Sequence, residues 1–218
     1  MNDNRATKAL TTTLGILVGL AGVEHGILEI LQGNVRPNGI MVDAIGPEQK
    51  LWKFASETVL TIVPSVLVSG VLSIILGILV TIWAYAYVDR KNGAVVLLLL
   101  SIALFLVGGG FAPIFLTFLA FIAATRINRP QRFWHSHVPV TLRKMIAKLW
   151  PWTLIISVVS FVFAVEIAIF GEPMLGLGGG ETAYQIQFFL GLAMLILAIL
   201  SLPAAFAHDA QGQADLTH

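Results

Sequence analysis

Long runs of apolar residues, separated by short polar stretches, make up most of the chain. A helix needs about 20 mostly apolar residues to cross a hydrocarbon layer of about 30 Å. The runs that meet this criterion are Leu10–Leu31, Val59–Val88, Ala94–Thr125, Trp152–Phe170 and Tyr184–Ala207. The pattern therefore predicts an all-α, polytopic membrane helix bundle that occupies residues 1–207 as a single domain.

The third run is too long for one span and is interrupted at its centre by Gly108, Gly109 and Gly110. Glycine is a poor helix former, whereas Pro113, just beyond, suits the first turn of a helix. As one helix the run would extend roughly 48 Å. We therefore predict two short helices, 94–107 and 111–125, that form a hairpin. The total is six helical segments, with five spans as the alternative.

Composition supports membrane insertion. Hydrophobic residues make up 57% of the chain and charged residues 11%, and the mean hydropathy is +0.86. Soluble domains carry about 25% charged residues, and disordered chains are highly charged, so both classes are excluded. The net charge of +1 gives no reason to expect nucleic acid as a partner.

Basic residues predict the orientation. The loop 126–148 carries six of them, whereas the loop 171–183 carries none and contains Glu172 and Glu181. Cytoplasmic loops are enriched in Lys and Arg. Six segments put ten of the 13 basic residues and both termini in the cytoplasm, and five spans divide the basic residues nine to four. We therefore predict a multi-pass protein of the cell membrane with cytoplasmic termini.

Two stripes of small residues predict close helix packing, because membrane helices associate where small side chains let their backbones approach. The same stripes are candidate contacts with a second copy or with another membrane subunit. Their members are Gly15, Gly19, Gly22 and Gly26 in the first span, and Thr61, Ser65, Ser69, Ser73, Gly77 and Thr81 in the second.

Ionisable residues inside the apolar runs are the strongest functional signal. Glu24, His25 and Glu29 lie in the first span and Glu166 lies in a later one. A charge at the centre of a span costs roughly 2.5–3.5 kcal/mol, so such residues are usually paired or face a cavity. His25 and Glu29 are four residues apart, within hydrogen-bonding reach. We predict a proton or cation site, with interfacial solvation as the alternative.

The six-segment topology would place these groups in the outer half of the membrane. The glycine break would act there as hinge or pocket floor, and Gln185 and Gln187 open the last span on the same side. A His–Glu pair in apolar surroundings can exchange a proton near neutral pH. The sequence therefore favours binding or translocation of a small solute or ion through an outward-facing polar pocket.

Two other functions stay open: a membrane-embedded metal-dependent enzyme, and a scaffold subunit of a membrane complex. The chain lacks a phosphate-binding loop, a nucleophile elbow, a His-Glu-x-x-His motif and any cysteine, so catalysis is the less favoured interpretation. No residue pattern identifies a cofactor or a metal.

The segments outside the spans carry three further predictions. Residues 140–150 have the pattern of a short amphipathic helix on the inner membrane surface. Residues 49–57 are expected to be helical, and the polar tail 208–218 is expected to be disordered. The candidate contacts with anionic lipid headgroups are Arg132, Trp134, Arg143, Lys144 and Lys148.

Overall fold

The computed structural model describes residues 4–176 and 180–215, with side chains described to residue 212. Seven helices and one two-stranded antiparallel sheet lie within these residues. In chain order they are α1 (Arg5–Leu31), β1 (Met41–Asp43), β2 (Thr58–Leu60), α2 (Val66–Ala86), α3 (Gly93–Leu106), α4 (Phe111–Ala124), α5 (Arg132–Ser136), α6 (Val140–Leu175) and α7 (Glu181–Asp215).

Four of these helices, α1, α2, α6 and α7, are long and apolar enough to cross a membrane. The other two apolar helices, α3 and α4, have 14 residues each, or about 21 Å. The predicted break is confirmed, because α3 ends before Gly108 and α4 begins after Gly110. All six predicted segments are thus helical, although their ends differ from the predicted ones.

The helices run alternately between two ends of the bundle. At one end, which we call the basic end, the start of α1 contacts the α2–α3 turn and the end of α7. Ten of the 13 Lys and Arg residues belong to the segments at this end. At the other end, which we call the loop end, residues 33–65 form a cap over the helices. α1 packs mainly on α2 and α4, and α6 packs mainly on α7.

The glycine stripe of α1 packs against α2 of the same chain. A methyl group at Gly19 would collide with the Gly77 carbonyl, and one at Gly26 would collide with the Gly70 carbonyl. Gly77 and Thr81 of the predicted α2 stripe thus face Gly19, whereas Gly26 meets Gly70, which was not part of that stripe, and Gly22 meets Leu104 of α3. Ser69 donates a hydrogen bond to the Val107 carbonyl at 2.8 Å instead. Association with a partner through these stripes stays a prediction.

The sequence predicted that the second long helix begins near residue 59, but the helix begins at Val66. Residues 58–60 pair with β1 instead, and the Ile62 amide donates to the Leu106 carbonyl at 3.0 Å. Ser65 then caps α2 by accepting from the Val68 amide. The extended segment 58–62 thereby covers the tip of the α3–α4 hairpin.

The prediction of a separate amphipathic helix at 140–150 is also wrong. These residues form the first turns of α6, which continues through Pro151. Leu142 and Met145 are exposed, as on the apolar face of a surface helix, but Arg143 is buried and does not belong to an exposed charged face. Arg143 donates to the Trp134 carbonyl at 3.1 Å and so holds α5 against α6.

The tail is helical from His208 to Asp215, so the expected disorder is wrong for these residues; residues 216–218 lie outside the described part. Asp209 of α7 is buried against the start of α1. Its carboxylate accepts from the Ala6 amide at 2.9 Å, the Thr7 amide at 2.8 Å and the Thr7 hydroxyl at 2.6 Å. The first amides of a helix have no partner within the helix, and Asp209 supplies one.

The cap contains β1, β2 and one 3-10 turn at Pro47–Gln49, and the helix predicted over 49–57 is absent. Trp52 anchors the cap to α6. Its ring nitrogen donates to the Ala168 carbonyl at 3.1 Å, and its ring lies against Gly171. Trp52 fixes the residues that follow it against α6, so Glu57 reaches into the bundle as far as His25.

Candidate functional site

His25 of α1 lies at the loop end, where its side chain contacts the cap and the glycine break. The side chain is only 6% exposed, and Nδ1 donates to the Ala21 carbonyl at 2.6 Å. Nε2 lies 2.5 Å from Oε2 of Glu57. Gly110 leaves room for the ring, since a Cβ there would come within 2.8 Å of the imidazole Cε1.

The His25–Glu57 pair holds one exchangeable proton. The Ala21 carbonyl can only accept, so Nδ1 must carry a hydrogen. The remaining proton lies between Nε2 and the carboxylate oxygen. Burial favours the neutral form of Glu57, but the hydrogen bond and charge of His25 outweigh burial and hold the pKa of that carboxyl below its ordinary value. The lowered pKa of Glu57 favours the arrangement in which its side chain is a carboxylate and the shared proton is on Nε2.

Two further carboxyls surround this pair. Glu24 of α1 is half-buried and lies close enough to His25, Glu57 and Glu166 for their charges to interact. Glu166 of α6 is also half-buried. Glu57 and Glu24 therefore both interact with the imidazole of His25, and Glu166 lies within reach of Glu24.

Glu29 lies apart from the pair, behind the glycine break. It is 0% exposed, and neither carboxyl oxygen has a hydrogen-bond partner among the described residues. The predicted hydrogen bond between His25 and Glu29 is wrong, because Ala21 and Glu57 occupy the two ring nitrogens.

Each glycine of the break makes room for a different side chain. A Cβ at Gly108 would overlap the Glu29 carboxyl, and a Cβ at Gly109 would overlap Leu104. Gly108 and Gly110 also have φ values of 105° and 83°, which favour glycine. The break therefore forms a wall of the site rather than a gap in it.

Two adjacent spaces adjoin the pair. A cavity of about 120 Å³ lies against His25 and Glu57, next to the start of α4. An apolar groove of about 480 Å³ continues between α4, α6 and α7. Gln187 lines this groove, and its Oε1 is buried with no hydrogen-bond partner among the described residues, whereas Gln185 is exposed.

Glu57 is the site residue that sequence reasoning missed. It lies outside every apolar run, in a segment that looked like the start of a helix. No local pattern marks it, because its position depends on how the cap folds back over α1. The indirect signal was that the ionisable residues of the spans gave a buried His no certain partner.

The predicted lipid-contacting residues lie at the basic end, away from this site. Arg132, Lys144 and Lys148 are exposed, Trp134 is half-buried and Arg143 is buried. Contact with headgroups stays a prediction for the exposed three.

Comparison with known proteins finds no matching family model, no matching curated protein and no matching solved structure. Among the described residues, no three His, Asp or Glu side chains are arranged to hold a metal ion. The chemistry of the site follows from its residues: one exchangeable proton, three neighbouring carboxyl groups, and an apolar groove beside them.

Proposed function

We propose that this is an integral membrane protein, with both termini in the cytoplasm, that binds and translocates a small solute in exchange for a proton. Four helices of sufficient length and hydropathy support insertion into a membrane. The concentration of basic residues at one end supports the orientation, since positive loops face the cytoplasm. The loop end, which contains the site, then faces outward.

The observation that carries the proposal is the pairing of buried His25 with Glu57, whose side chain is 32% exposed, beside a cavity. Burying an ionisable side chain such as His25 is expensive, and a well-packed apolar residue usually stabilises a protein at least as well. Ionisable groups at membrane depth commonly mark ion and proton pathways. The pair is one of several links between α1 and the cap, since Gln32 also donates to the Ala44 carbonyl and Gln49 to the Leu31 carbonyl, so a solute that breaks the pair would loosen this junction.

Proton flux in liposomes tests the proposal. Purified protein is reconstituted with a pH-sensitive dye inside, and representative organic cations, organic anions, sugars and alkali cations are added outside. We expect one class to drive proton movement in the wild type, and the movement to be lost in Glu57→Gln and His25→Gln. Glu48→Gln, an exposed glutamate of the same cap, is the matched control and should behave as wild type.

Folding is checked by size-exclusion chromatography, so that loss of flux is not confused with loss of structure. No flux with any class in correctly folded protein would overturn translocation. Undiminished flux in both variants would overturn the role of the pair.

Cysteine labelling tests the orientation, since the chain has no cysteine of its own. Asn38 in the cap and Lys91 in the α2–α3 turn are exposed at opposite ends. In intact cells, a membrane-impermeant maleimide should label Asn38→Cys and not Lys91→Cys. The reverse pattern would overturn the orientation.

A further inference from the structure

The apolar groove and the small cavity at His25 are adjacent and share part of their lining. Both are lined by Glu57, Ala112, Phe161 and Val165. The groove has the size of typical small-molecule sites, which are about 300–1,000 Å³. A ligand in the groove could therefore reach the proton-sharing pair with one end.

The wall of the groove is made for an apolar body. Phe115, Phe188, Leu192 and Leu195 contribute most of its length, and the first three are more than 40% exposed on the outside of α4 and α7. On the proposed function, this outside is the hydrocarbon layer. The groove is thus open to the lipid phase, and its entrance does not require passage through water.

The polar groups in the groove would be matched by hydrogen-bond donors on a ligand. Glu57 contributes a carboxylate, and Gln187 contributes a buried amide oxygen without a partner among the described residues. Glu24 and Glu166 are two further carboxyl groups nearby. Lys53 does not line the groove; it is exposed and lies over the Phe54 ring instead.

We propose that the groove binds an amphipathic amine, with its protonated nitrogen at Glu57 and Gln187 and its hydrocarbon body between α4 and α7. This inference rests on the proposed function and specifies its substrate class. An ammonium group offers N–H donors and a positive charge, which complement the acceptors and the excess of carboxylates. Neutral and anionic molecules of the same length lack one or both.

The same geometry gives the proton step. When the ammonium binds Glu57, the imidazolium of His25 loses its carboxylate partner and releases its Nε2 proton to water. The groups that face His25 are Glu57 from the cap and Glu24 from its own helix, while the glycine break presents Gly110. One positive charge enters and one leaves, so charge and atoms balance.

Binding of three matched probes tests the substrate class. Wild-type protein in phosphatidylcholine nanodiscs is titrated with decylamine, decanol and decanoate, and empty nanodiscs correct for partitioning. We expect saturable 1:1 binding of decylamine, with the other two at least tenfold weaker. Glu57→Gln should weaken decylamine binding at least tenfold, and Glu48→Gln should leave it unchanged.

A second variant fills the groove without touching its polar groups. Gly191 of α7 lines the groove and has open space around its Cβ position. Gly191→Phe should weaken decylamine binding at least tenfold. Gly212→Phe, at the other end of α7 and also in open space, is the matched control and should not.

The outcomes separate this inference from the proposed function. Equal binding of the three probes, or unchanged decylamine binding in Gly191→Phe, would overturn the amine groove while leaving solute-driven proton flux intact. Absence of that flux in the wild type would overturn the proposed function, even if decylamine binds.

Discussion

Two buried acidic side chains at opposite ends of the bundle have opposite surroundings. Asp209 at the basic end accepts three hydrogen bonds from the start of α1. Glu29 at the loop end accepts none from the described residues, although it is the more deeply buried of the two. Burial of charge-bearing groups thus serves different purposes at the two ends.

The basic end uses polar groups to close the fold. Asp209 joins the last helix to the first, and the Asn4 amide donates to the carbonyls of Arg126 and Arg129 at 2.8 and 2.7 Å. Every one of these bonds links segments more than 100 residues apart in sequence. The loop end instead keeps polar groups beside empty space, where a ligand can use them. Stability should therefore depend mostly on the first end and binding on the second.

The largest effect should come from Asp209→Ala. It leaves three donors at the start of α1 without their partner, and losing a helix cap and burying unsatisfied groups should together cost about 3 kcal/mol. For a chain of this size, that lowers the melting temperature by roughly 6–12 °C. Thermal unfolding in detergent, followed by tryptophan fluorescence, measures it.

His208→Ala, an exposed neighbour on the same helix, is the control and should change the melting temperature little. Decylamine binding should survive in Asp209→Ala at temperatures where the protein is folded. A loss below about 1 kcal/mol would show that these bonds do not hold the end of α1.

Gly108→Ala should have the next largest effect. Its φ of 105° is strained for alanine, and the new methyl group would overlap the Glu29 carboxyl. We expect a loss of about 2 kcal/mol from these two causes together. The same unfolding measurement applies.

Gly39→Ala separates the two causes, because Gly39 has a φ of 103° with no atom within 4 Å of its Cβ position. The excess loss in Gly108→Ala over Gly39→Ala measures the overlap with Glu29. Equal losses would mean that the carboxyl moves aside at no cost.

The helices were predictable from the sequence because each is encoded locally. Apolar length identified the spans, and the glycines at 108–110 identified the break between α3 and α4. The grouping of His25, Glu24 and Glu166 at one end also followed, since alternating helices determine which residues share an end.

The rest depended on contacts between distant segments. Asp209 looked like part of a polar tail because its partners, Ala6 and Thr7, are more than 200 residues away. Glu57 looked like a surface residue because Trp52 determines where the cap lies, through a bond to a helix 116 residues later. Hydrophobic periodicity contains no record of either contact.

Glu29→Met should change stability in the opposite direction from Asp209→Ala. Replacing a buried polar group that has no partner with an apolar group of similar shape is neutral or stabilising, here by up to about 1 kcal/mol. The unfolding assay should therefore show an unchanged or higher melting temperature. A clear decrease would mean that Glu29 has a favourable interaction after all, and would remove the contrast between the ends.

The smallest effect should come from Asp89→Asn at the edge of the basic end. Lys8 Nζ lies 2.6 Å from Asp89 Oδ2, and the two side chains are 43% and 34% exposed. Exposed pairs of this kind contribute about 0.2–1 kcal/mol and weaken as salt rises. We expect a loss at the lower end of that range at neutral pH and low salt.

The pH dependence of this loss follows from the pKa of Asp89, which the hydrogen bond from Lys8 lowers below its ordinary value. A lowered pKa means that the pair stabilises the folded state fully above the unfolded pKa of about 3.9, and progressively less as pH falls through the lower folded value. Wild type and Asp89→Asn should therefore differ at pH 7 and converge in strong acid. Lys8→Met should lose the same amount, and the double variant should lose no more than either single one, because both substitutions remove one interaction. Additive losses would show that the pair does not act as a unit, and that even this surface contact contributes to closing the basic end through other partners.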